Sequence, residues 1–227
     1  MWRNGLILLG GLSGLPALAA PWTQDPGHLY ARISIADEYV EGVRGTRADA
    51  YAEFGLTELW TATAKAEAVS YREASDFDTN GWRATLRRSL FRTDHLTVSA
   101  EFGALQGAAI GGRNGCDRLG GEARAGAAWS NTWRDAPTFV FAEIAGRFHE
   151  NCHRTRYEFG FGRQTSDKVW SITQVWIERG DTNAPSDKVQ SELLWRGENA
   201  DYSIGYRNEN GGAFEEQSVF IALARQF

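Results

Sequence analysis

The sequence predicts an all-β fold, a transmembrane antiparallel up-and-down β-barrel of about 12 strands. Apolar and polar residues alternate in segment after segment, with turn residues between the segments. These segments run about nine to twelve residues, the length that a tilted strand needs to cross a bilayer. Strands of a soluble sandwich are typically shorter, ~5–6 residues, and the polar face of these segments is heavily charged. A membrane barrel is therefore favoured over a soluble sandwich.

The first element along the chain is a predicted signal peptide at residues 1–19. Arg3 supplies a positive charge ahead of an uncharged apolar stretch, and Ala17 and Ala19 form the A-x-A pattern of a cleavage site. An N-terminal membrane anchor is the alternative, but the apolar stretch is short for a hydrocarbon core of ~30 Å. We expect cleavage after Ala19 and a mature chain, residues 20–227, that forms one barrel domain.

The strands that follow are predicted from the parity of their residues. In the segment WTATAKAEAVSY at residues 60–71, the alanines share one parity, whereas Lys65 and Glu67 share the other. One face of this strand therefore contacts an apolar medium. The same pattern gives about twelve segments, an even number, as in bacterial single-chain barrels. They lie near residues 28–36, 46–55, 58–71, 80–90, 95–105, 119–130, 137–149, 154–163, 168–179, 187–197, 200–208 and 215–227.

The connections between these segments alternate in length. Membrane barrels have short turns on one side and longer loops on the other. We therefore expect the longer polar links to face outward. They lie at residues 37–45, 72–79, 106–118, 180–186 and 209–214.

Composition and charge exclude other classes of protein. The chain has 24 Lys+Arg against 29 Asp+Glu, a formal net charge of −5 at pH 7. It is not basic enough for a nucleic-acid-binding protein. After the signal peptide, no apolar run reaches the ~18 residues that a transmembrane helix needs. We expect no nucleic-acid partner and no cofactor.

The last strand ends in an aromatic residue, with Val219, Ile221 and Leu223 on the parity of Phe227. In this the sequence resembles the outer-membrane β-barrel superfamily of Gram-negative bacteria. The resemblance implies a place in the cell outer membrane, contact with outer-membrane lipids, and a role for Phe227 as an assembly signal for the barrel-assembly machinery. Arg225 departs from the pattern because it puts a charge on the lipid-facing parity, at a cost of ~0–1 kcal/mol near the interface.

Charged residues on the opposite parity are predicted to line the lumen. They are Arg47, Asp49, Glu53, Lys65, Glu67, Arg83, Arg87, Glu101, Glu122, Arg124, Glu143, Arg147, Arg156, Glu158, Arg163, Glu192 and Arg196. Such mixed charges either line an aqueous passage or form a salt-bridged interior that conducts little. Barrels of about eight strands are filled and barrels of about sixteen leave a channel, so a barrel of about twelve leaves both open.

The charged lumen gives two hypotheses of function. The first is a porin-like passive channel or transporter for small polar solutes. The second is a structural or surface-interaction barrel with a closed lumen, whose outward loops carry the function.

Cys116 and Cys152 are expected to form a disulfide, because an even number of cysteines in an exported chain usually indicates pairing. The predicted topology puts both cysteines on neighbouring outward loops. A metal site is the alternative, since His149, Glu150 and His153 flank Cys152 in FHENCHR. The spacing matches no established zinc pattern, and we predict no metal site.

A lipid-modifying enzyme of the outer membrane is the third hypothesis. His95, Ser99 and Glu101 share a parity, but residues four apart on a strand lie ~13 Å apart, beyond hydrogen-bond reach. Outer-membrane phospholipases and lipid A deacylases carry a His-x-Ser pair on one strand, and this sequence contains none. We therefore predict no catalytic residues.

Overall fold

The computed structural model describes residues 21–108, 116–150, 152–181, 185–211 and 214–227. The predicted signal peptide at residues 1–19 lies outside them. The described chain forms twelve strands and one short 3-10 turn, Ser75–Phe77. The strands are β1 (Leu29–Val40), β2 (Val43–Gly55), β3 (Trp60–Tyr71), β4 (Thr79–Arg92), β5 (Leu96–Gln106), β6 (Gly120–Trp133), β7 (Ala136–His149), β8 (Cys152–Ser166), β9 (Val169–Gly180), β10 (Ser186–Arg196), β11 (Asp201–Gly211) and β12 (Phe214–Gln226).

The strands close into a barrel, which confirms the predicted fold class. Each strand pairs antiparallel with its neighbours in the chain, and β1 pairs with β12 from Tyr30↔Gln226 to Val40↔Glu216. Closure pairs the outer edges of the first and last strands, so the sheet has no free edge. Within the described ranges, no helix is long and apolar enough to cross a membrane.

The barrel has two different ends. At the turn end lie Phe227 and the short connections after β2, β4, β6, β8 and β10. At the loop end lie the other connections, including those between β3 and β4, between β5 and β6 and between β9 and β10. Three of the predicted long links, 72–79, 106–118 and 180–186, therefore fall at one end, as expected.

The other two predicted long links, 37–45 and 209–214, fall at the same end, but their predicted length is wrong. β1 continues to Val40, and β2 begins at Val43 after a two-residue turn in which both Glu41 and Gly42 have positive φ. Positive φ at both positions is the geometry that matches the twist of paired strands. Polar residues suggested a loop here, but they belong to the ladder, since Asp37 pairs with Thr46. β11 and β12 likewise extend to Gly211 and from Phe214.

The outer face of the barrel is apolar. Ile33 and Ile35 on β1 are 58% and 51% exposed, and outward Ile, Leu, Val and Phe side chains continue around the barrel. Aromatic side chains mark both borders of this belt, as in membrane barrels. At the turn end they are Phe54, Trp133, Trp195 and Tyr202, and at the loop end Tyr39, Trp82, Phe148 and Tyr206.

Two glycines on β8 make room for aromatic rings inside the barrel. The register pairs Phe141 with Gly160 and Phe139 with Gly162. A Cβ at Gly160 would lie 2.0 Å from the Phe141 ring, and one at Gly162 would lie 2.2 Å from the Phe139 ring. The two rings therefore lie over β8 where an ordinary side chain would stand, and they form an aromatic wall on the inner face near the turn end.

Candidate functional site

The interior of the barrel consists of two unlike halves. The upper lumen, toward the loop end, is a charged cavity with Arg47, Glu67 and Glu178 in its lining. The lower lumen, toward the turn end, is a buried apolar cluster formed by Ala128, Phe139, Phe141, Trp170, Ile172 and Leu194. The two halves share the same strands, so their difference comes from the inward residues along each strand.

The upper lumen holds a cavity of about 230 Å³. Ten cationic side chains line it, namely Arg32, Arg47, Lys65, Arg83, Arg124, Arg147, Arg154, Arg156, Lys188 and Arg207. Six carboxylates line it, namely Asp49, Glu67, Glu158, Glu178, Glu209 and Glu216. Four further buried carboxylates, those of Glu38, Glu122, Glu143 and Glu192, pair with these cations from outside the lining, so the positive and negative side chains around the cavity are balanced.

Arg47 is the centre of one ion-pair network near the loop end. Its Nε lies 2.5 Å from Glu38 Oε2, Nη1 lies 3.1 Å from Glu67 Oε2, and Nη2 lies 3.2 Å from Glu216 Oε2. Tyr71 Oη donates a further hydrogen bond to Glu38. These partners come from β1, β3 and β12, so Arg47 ties together strands on both sides of the β1–β12 seam.

Glu122 is the centre of a second network across the barrel. It accepts from Arg83 Nη1 and Arg124 Nη2, both at 3.1 Å, and from Arg147 Nε at 2.7 Å. Arg124 also contacts Glu143 Oε2 at 2.7 Å. One buried carboxylate thus compensates three guanidinium groups, and buried charges require such pairing.

The strand register places like charges opposite each other in the upper lumen. Arg147 on β7 pairs with Arg154 on β8, an arrangement that is unfavourable on its own. Glu178 relieves it, because its carboxylate lies 2.9 Å from both guanidinium groups and 3.0 Å from that of Arg156. Lys65 and Arg83 are a second such pair. Cationic side chains therefore concentrate at the cavity even where the ladder opposes it.

In the lower lumen the N-terminal segment, residues 21–24, enters the barrel. Trp22 packs edge-on against Phe139 and Phe141, with ring centroids 5.4 and 6.3 Å apart. Pro21 is fully buried, and Thr23 and Gln24 are each 9% exposed. The segment therefore lies inside the barrel, where Trp22 contacts the aromatic wall formed by Phe139 and Phe141.

The structure places the predicted lumen residues inside the barrel with one exception. Lining the upper cavity are Arg47, Asp49, Lys65, Glu67, Arg83, Arg124, Arg147, Arg156 and Glu158. Buried next to the cavity and paired with its cations are Glu122, Glu143 and Glu192. Nearer the turn end are Glu53, Arg87, Glu101 and Arg196.

Arg163 is the exception, and its predicted place in the lumen is wrong. It follows Phe161 on the outward parity of β8, and its guanidinium lies 5.1 Å from the ring centroid of Trp133, which is 47% exposed. It also donates to the carbonyl oxygen of Arg134 at 3.4 Å. Its parity is odd, whereas Arg156 and Glu158 are even, so a strict count along the strand would have placed it outside.

Several residues of the cavity were not among the predicted lumen residues. Arg32, Arg154, Glu178, Lys188 and Arg207 line the upper lumen. Each lies on the inward parity of its strand, and extending that parity past the most regular stretches would have found them. The N-terminal segment carried no comparable signal, because it forms no strand.

The structure joins Cys116 and Cys152 in a disulfide at the loop end, with a Cα–Cα distance of 5.4 Å. The histidines that flank Cys152 diverge: His149 is buried and its Nδ1 lies 2.8 Å from the Arg118 carbonyl oxygen, whereas His153 is exposed beside Asp181. Among the residues that the structure describes, no group of His, Cys, Asp or Glu is arranged to hold a metal ion.

The structure also separates the residues weighed for catalysis. Ser99 and Glu101 are buried on the inward parity of β5. His95 precedes that strand in the turn after β4, where its Nδ1 lies 3.1 Å from the Ser130 carbonyl oxygen. His95 is therefore held at the turn end by the backbone of β6.

A closed barrel of twelve strands with an apolar outer belt, aromatic borders and a charged interior is an outer-membrane β-barrel in architecture. Solved structures agree. The NanC porin superposes with a TM-score of 0.61 at 11% identity, covering 85% of this chain and 98% of that chain. The KdgM porin gives 0.55 at 9% identity, covering 84% and 97%. An outer membrane channel from Pseudomonas putida F1 gives 0.54 at 11% identity, covering 93% and 99%.

At these identities the likeness establishes the fold, which this chain shares with outer-membrane porins and channels. No family model matches the chain, and no curated protein matches it in sequence.

Proposed function

We propose that this chain is a porin-like passive channel of the outer membrane for small polar solutes, and that it favours anions. The observation that carries the proposal is the charged cavity of about 230 Å³ in the upper lumen. Each water molecule of liquid water occupies ~30 Å³, so the cavity has space for several waters or for a small hydrated solute. The carboxylates of Glu38, Glu122, Glu143 and Glu192 offset the surplus of cations in its lining. The anion preference therefore rests on Arg207, which lines the cavity and whose positive charge lowers the energy of an anion there relative to a cation.

Fixed networks support this role. Charged side chains in a fully satisfied network keep a fixed arrangement in the wall of the lumen. Arg47 and Arg124 each contact three carboxylates. Arg207, by contrast, donates only to the neutral Gln190 among the contacts that are described, so its charge is available to an anion.

A closed barrel with a structural or surface-interaction role is the second candidate, and the packed lower lumen favours it. Conductance separates the two candidates. Protein refolded in detergent is inserted into planar lipid bilayers under a KCl gradient, with the boiled protein as the control. We expect stepwise currents that reverse near the chloride potential. Folded barrels that carry no current would contradict the channel and support the closed barrel.

The similar structures suggest a test solute. One is described as a KdgM porin in complex with disordered oligogalacturonate, with a TM-score of 0.52 at 8% identity. In liposomes that contain this chain, we expect a short oligogalacturonate to enter faster than a neutral oligosaccharide of the same length. Equal rates for the two sugars would contradict the anion preference and leave a passage for polar solutes.

Export and assembly are part of the same proposal. Cleavage after Ala19 would release residues 20–227 as one barrel domain that contacts outer-membrane lipids and the barrel-assembly machinery. Phe227 is 59% exposed, and its N–H donates to the Leu29 carbonyl oxygen at 2.8 Å. Because its side chain is accessible at the seam, deletion of Phe227 should lower the amount of heat-modifiable protein in outer-membrane fractions. Wild-type levels after this deletion would contradict its role as an assembly signal.

A further inference from the structure

In the lower lumen, residues 21–24 are packed against Phe139 and Phe141 and hydrogen-bonded to the opposite wall. We propose that residues 21–24 are a plug held in this site, and that the plug narrows the passage at the turn end. The narrowing role rests on the proposed channel function, whereas the peptide site can be tested without it.

One wall of the site recognises the backbone and the polar side chain of the segment. Arg87 Nη1 donates to the Trp22 carbonyl oxygen at 2.8 Å, and the Gln24 N–H donates to Thr61 Oγ1 at 2.9 Å. Gln24 Nε2 donates to Glu53 Oε2 at 2.6 Å. The three partners lie on the neighbouring strands β4, β3 and β2. This wall thus satisfies polar groups that would otherwise be buried without partners.

The polar wall is itself held in place. Arg87 lies 2.8 Å from both Glu53 Oε1 and Glu101 Oε2, and all three side chains are about 2% exposed. Arg87 therefore keeps a donor for the Trp22 carbonyl oxygen while its charge is compensated. A rigid, compensated arginine aimed at a peptide carbonyl is an element of a preformed site.

The opposite wall recognises the Trp22 side chain. Phe139 and Phe141 on β7 contact the indole edge-on, at interplanar angles of 89° and 75°. Edge-to-face contacts of this kind add to the free energy of burying the ring. Because the segment contacts β2 to β4 on one side and β7 on the other, it spans the lumen between them.

Two glycines leave the space that the segment occupies. A Cβ at Gly126 on β6 would lie 2.6 Å from Glu143 Cγ and 2.9 Å from Pro21 Cγ, and one at Gly55 would lie 2.8 Å from the Gln24 carbonyl oxygen. The second contact is to backbone, which cannot move away as a flexible side chain can. The barrel wall and the segment are therefore complementary in shape as well as in hydrogen bonding.

The segment can leave this site without breaking the barrel. It belongs to no strand, and it joins β1 through Gly27, whose φ of +79° is readily adopted by glycine. The ladder begins beyond it, at Leu29. Rotation about Gly27 would break the hydrogen bond from the His28 N–H to the Asp25 carbonyl oxygen, but it would withdraw residues 21–24 from the lumen while every strand pairing stays intact.

The test removes the plug and returns it as a free peptide. The full chain is compared with a variant that lacks residues 21–24, both confirmed as folded by heat modifiability. We expect the deletion to raise single-channel conductance roughly twofold or more, since the narrowest part of the passage is widened. The acetylated, amidated peptide Pro-Trp-Thr-Gln, added on the turn-end side, should restore the smaller conductance, and Pro-Ala-Thr-Gln should not.

Point variants give matched controls. Trp22→Ala should raise conductance through loss of the aromatic contact. Trp195→Ala removes the same side chain at the turn end, but from the outer face where it is 60% exposed, and should leave conductance unchanged. Equal conductance of the full chain and the deletion variant would overturn the plug.

A second measurement distinguishes failure of the plug from failure of the channel. If neither form conducts, the proposed channel is wrong, and the peptide site is judged by fluorescence anisotropy of labelled Pro-Trp-Thr-Gln with the deletion variant in detergent. Saturable binding that Phe141→Ala weakens would support the site. Absence of binding to the folded deletion variant would overturn it.

Discussion

The two halves of the lumen use the same strands for opposite purposes. β7 contributes Phe139 and Phe141 to the lower lumen and, on the same parity, Glu143 and Arg147 to the upper lumen. The lower half resembles the core of a soluble protein, with side chains and glycines fitted together. The upper half has a cavity and is held by ion pairs. One strand can therefore contribute to a packed apolar core in the lower lumen and to a charged cavity in the upper lumen, because the parity of a residue sets only whether its side chain points inward or outward.

The largest expected effect on stability comes from breaking the ion-pair network centred on Glu122 in the upper lumen. Glu122→Gln removes the charge that compensates Arg83, Arg124 and Arg147. Breaking a buried ion pair on one side costs roughly 3–5 kcal/mol, so the free energy of unfolding should fall by about that amount. Urea unfolding of the refolded barrel in lipid vesicles measures it.

The exposed pair of Arg118 and Glu150 provides the control for this test. Its side chains are 67% exposed, and Glu150→Gln should cost about 1 kcal/mol or less. Similar losses for Glu122→Gln and Glu150→Gln would contradict the view that buried ion pairs hold the upper lumen.

A smaller effect tests whether the lower half is packed as a core. Ile172→Val, at a position 1% exposed inside the barrel, should lower the free energy of unfolding by about 1 kcal/mol. Ile144→Val makes the same change on the outer face, where the side chain is 47% exposed, and should change it by about 0.5 kcal/mol or less. Equal losses at the two sites in the same unfolding measurement would argue against a packed lower lumen.

The smallest effect concerns charge in the upper half alone. Arg207→Glu replaces a positive charge at the cavity with a negative one, and the position contacts Gln190 rather than a carboxylate among the described contacts. We expect the ratio of anion to cation permeability to fall about threefold, which corresponds to ~0.6 kcal/mol. The reversal potential in a KCl gradient measures this ratio. Arg163→Glu makes the same change outside the barrel and should leave the potential in place.

Much of the fold could be predicted from the sequence, because side chains that face lipid must be apolar, whereas the alternate side chains that face the lumen contact water or form ion pairs and can be charged. This constraint located all twelve strands and most inward charges, including those at Arg47 and Glu122. The constraint did not hold at Arg163, a charged residue on the outward parity of β8. It also did not hold at residues 37–45, where polar side chains on paired strands extend beyond the apolar belt. The polar side chains at residues 37–45 indicate that this part of the hairpin is in contact with water, and they do not mark the end of the pairing between β1 and β2.

The candidate site was less predictable. Periodicity says that Phe139 and Glu143 face inward, but it does not say that an aromatic wall near one end will meet a tryptophan from outside the strands. The contacts of Trp22 with β7 join residues more than a hundred positions apart, and no local pattern encodes them. Gly126 and Gly162, whose roles depend on what fills the space above them, are similarly unreadable from one sequence.

The seam between β1 and β12 has a consequence for how the barrel forms. It joins Leu29 to Phe227 by two backbone hydrogen bonds, N–H of each to the carbonyl oxygen of the other, at 3.2 and 2.8 Å. Every other strand pair is a hairpin that can zip locally, whereas this one must wait for almost the whole chain. Until then β1 and a growing partner expose unpaired edges that invite pairing with other chains. The last contact to form is thus also the one that ends the period of greatest aggregation risk during biogenesis.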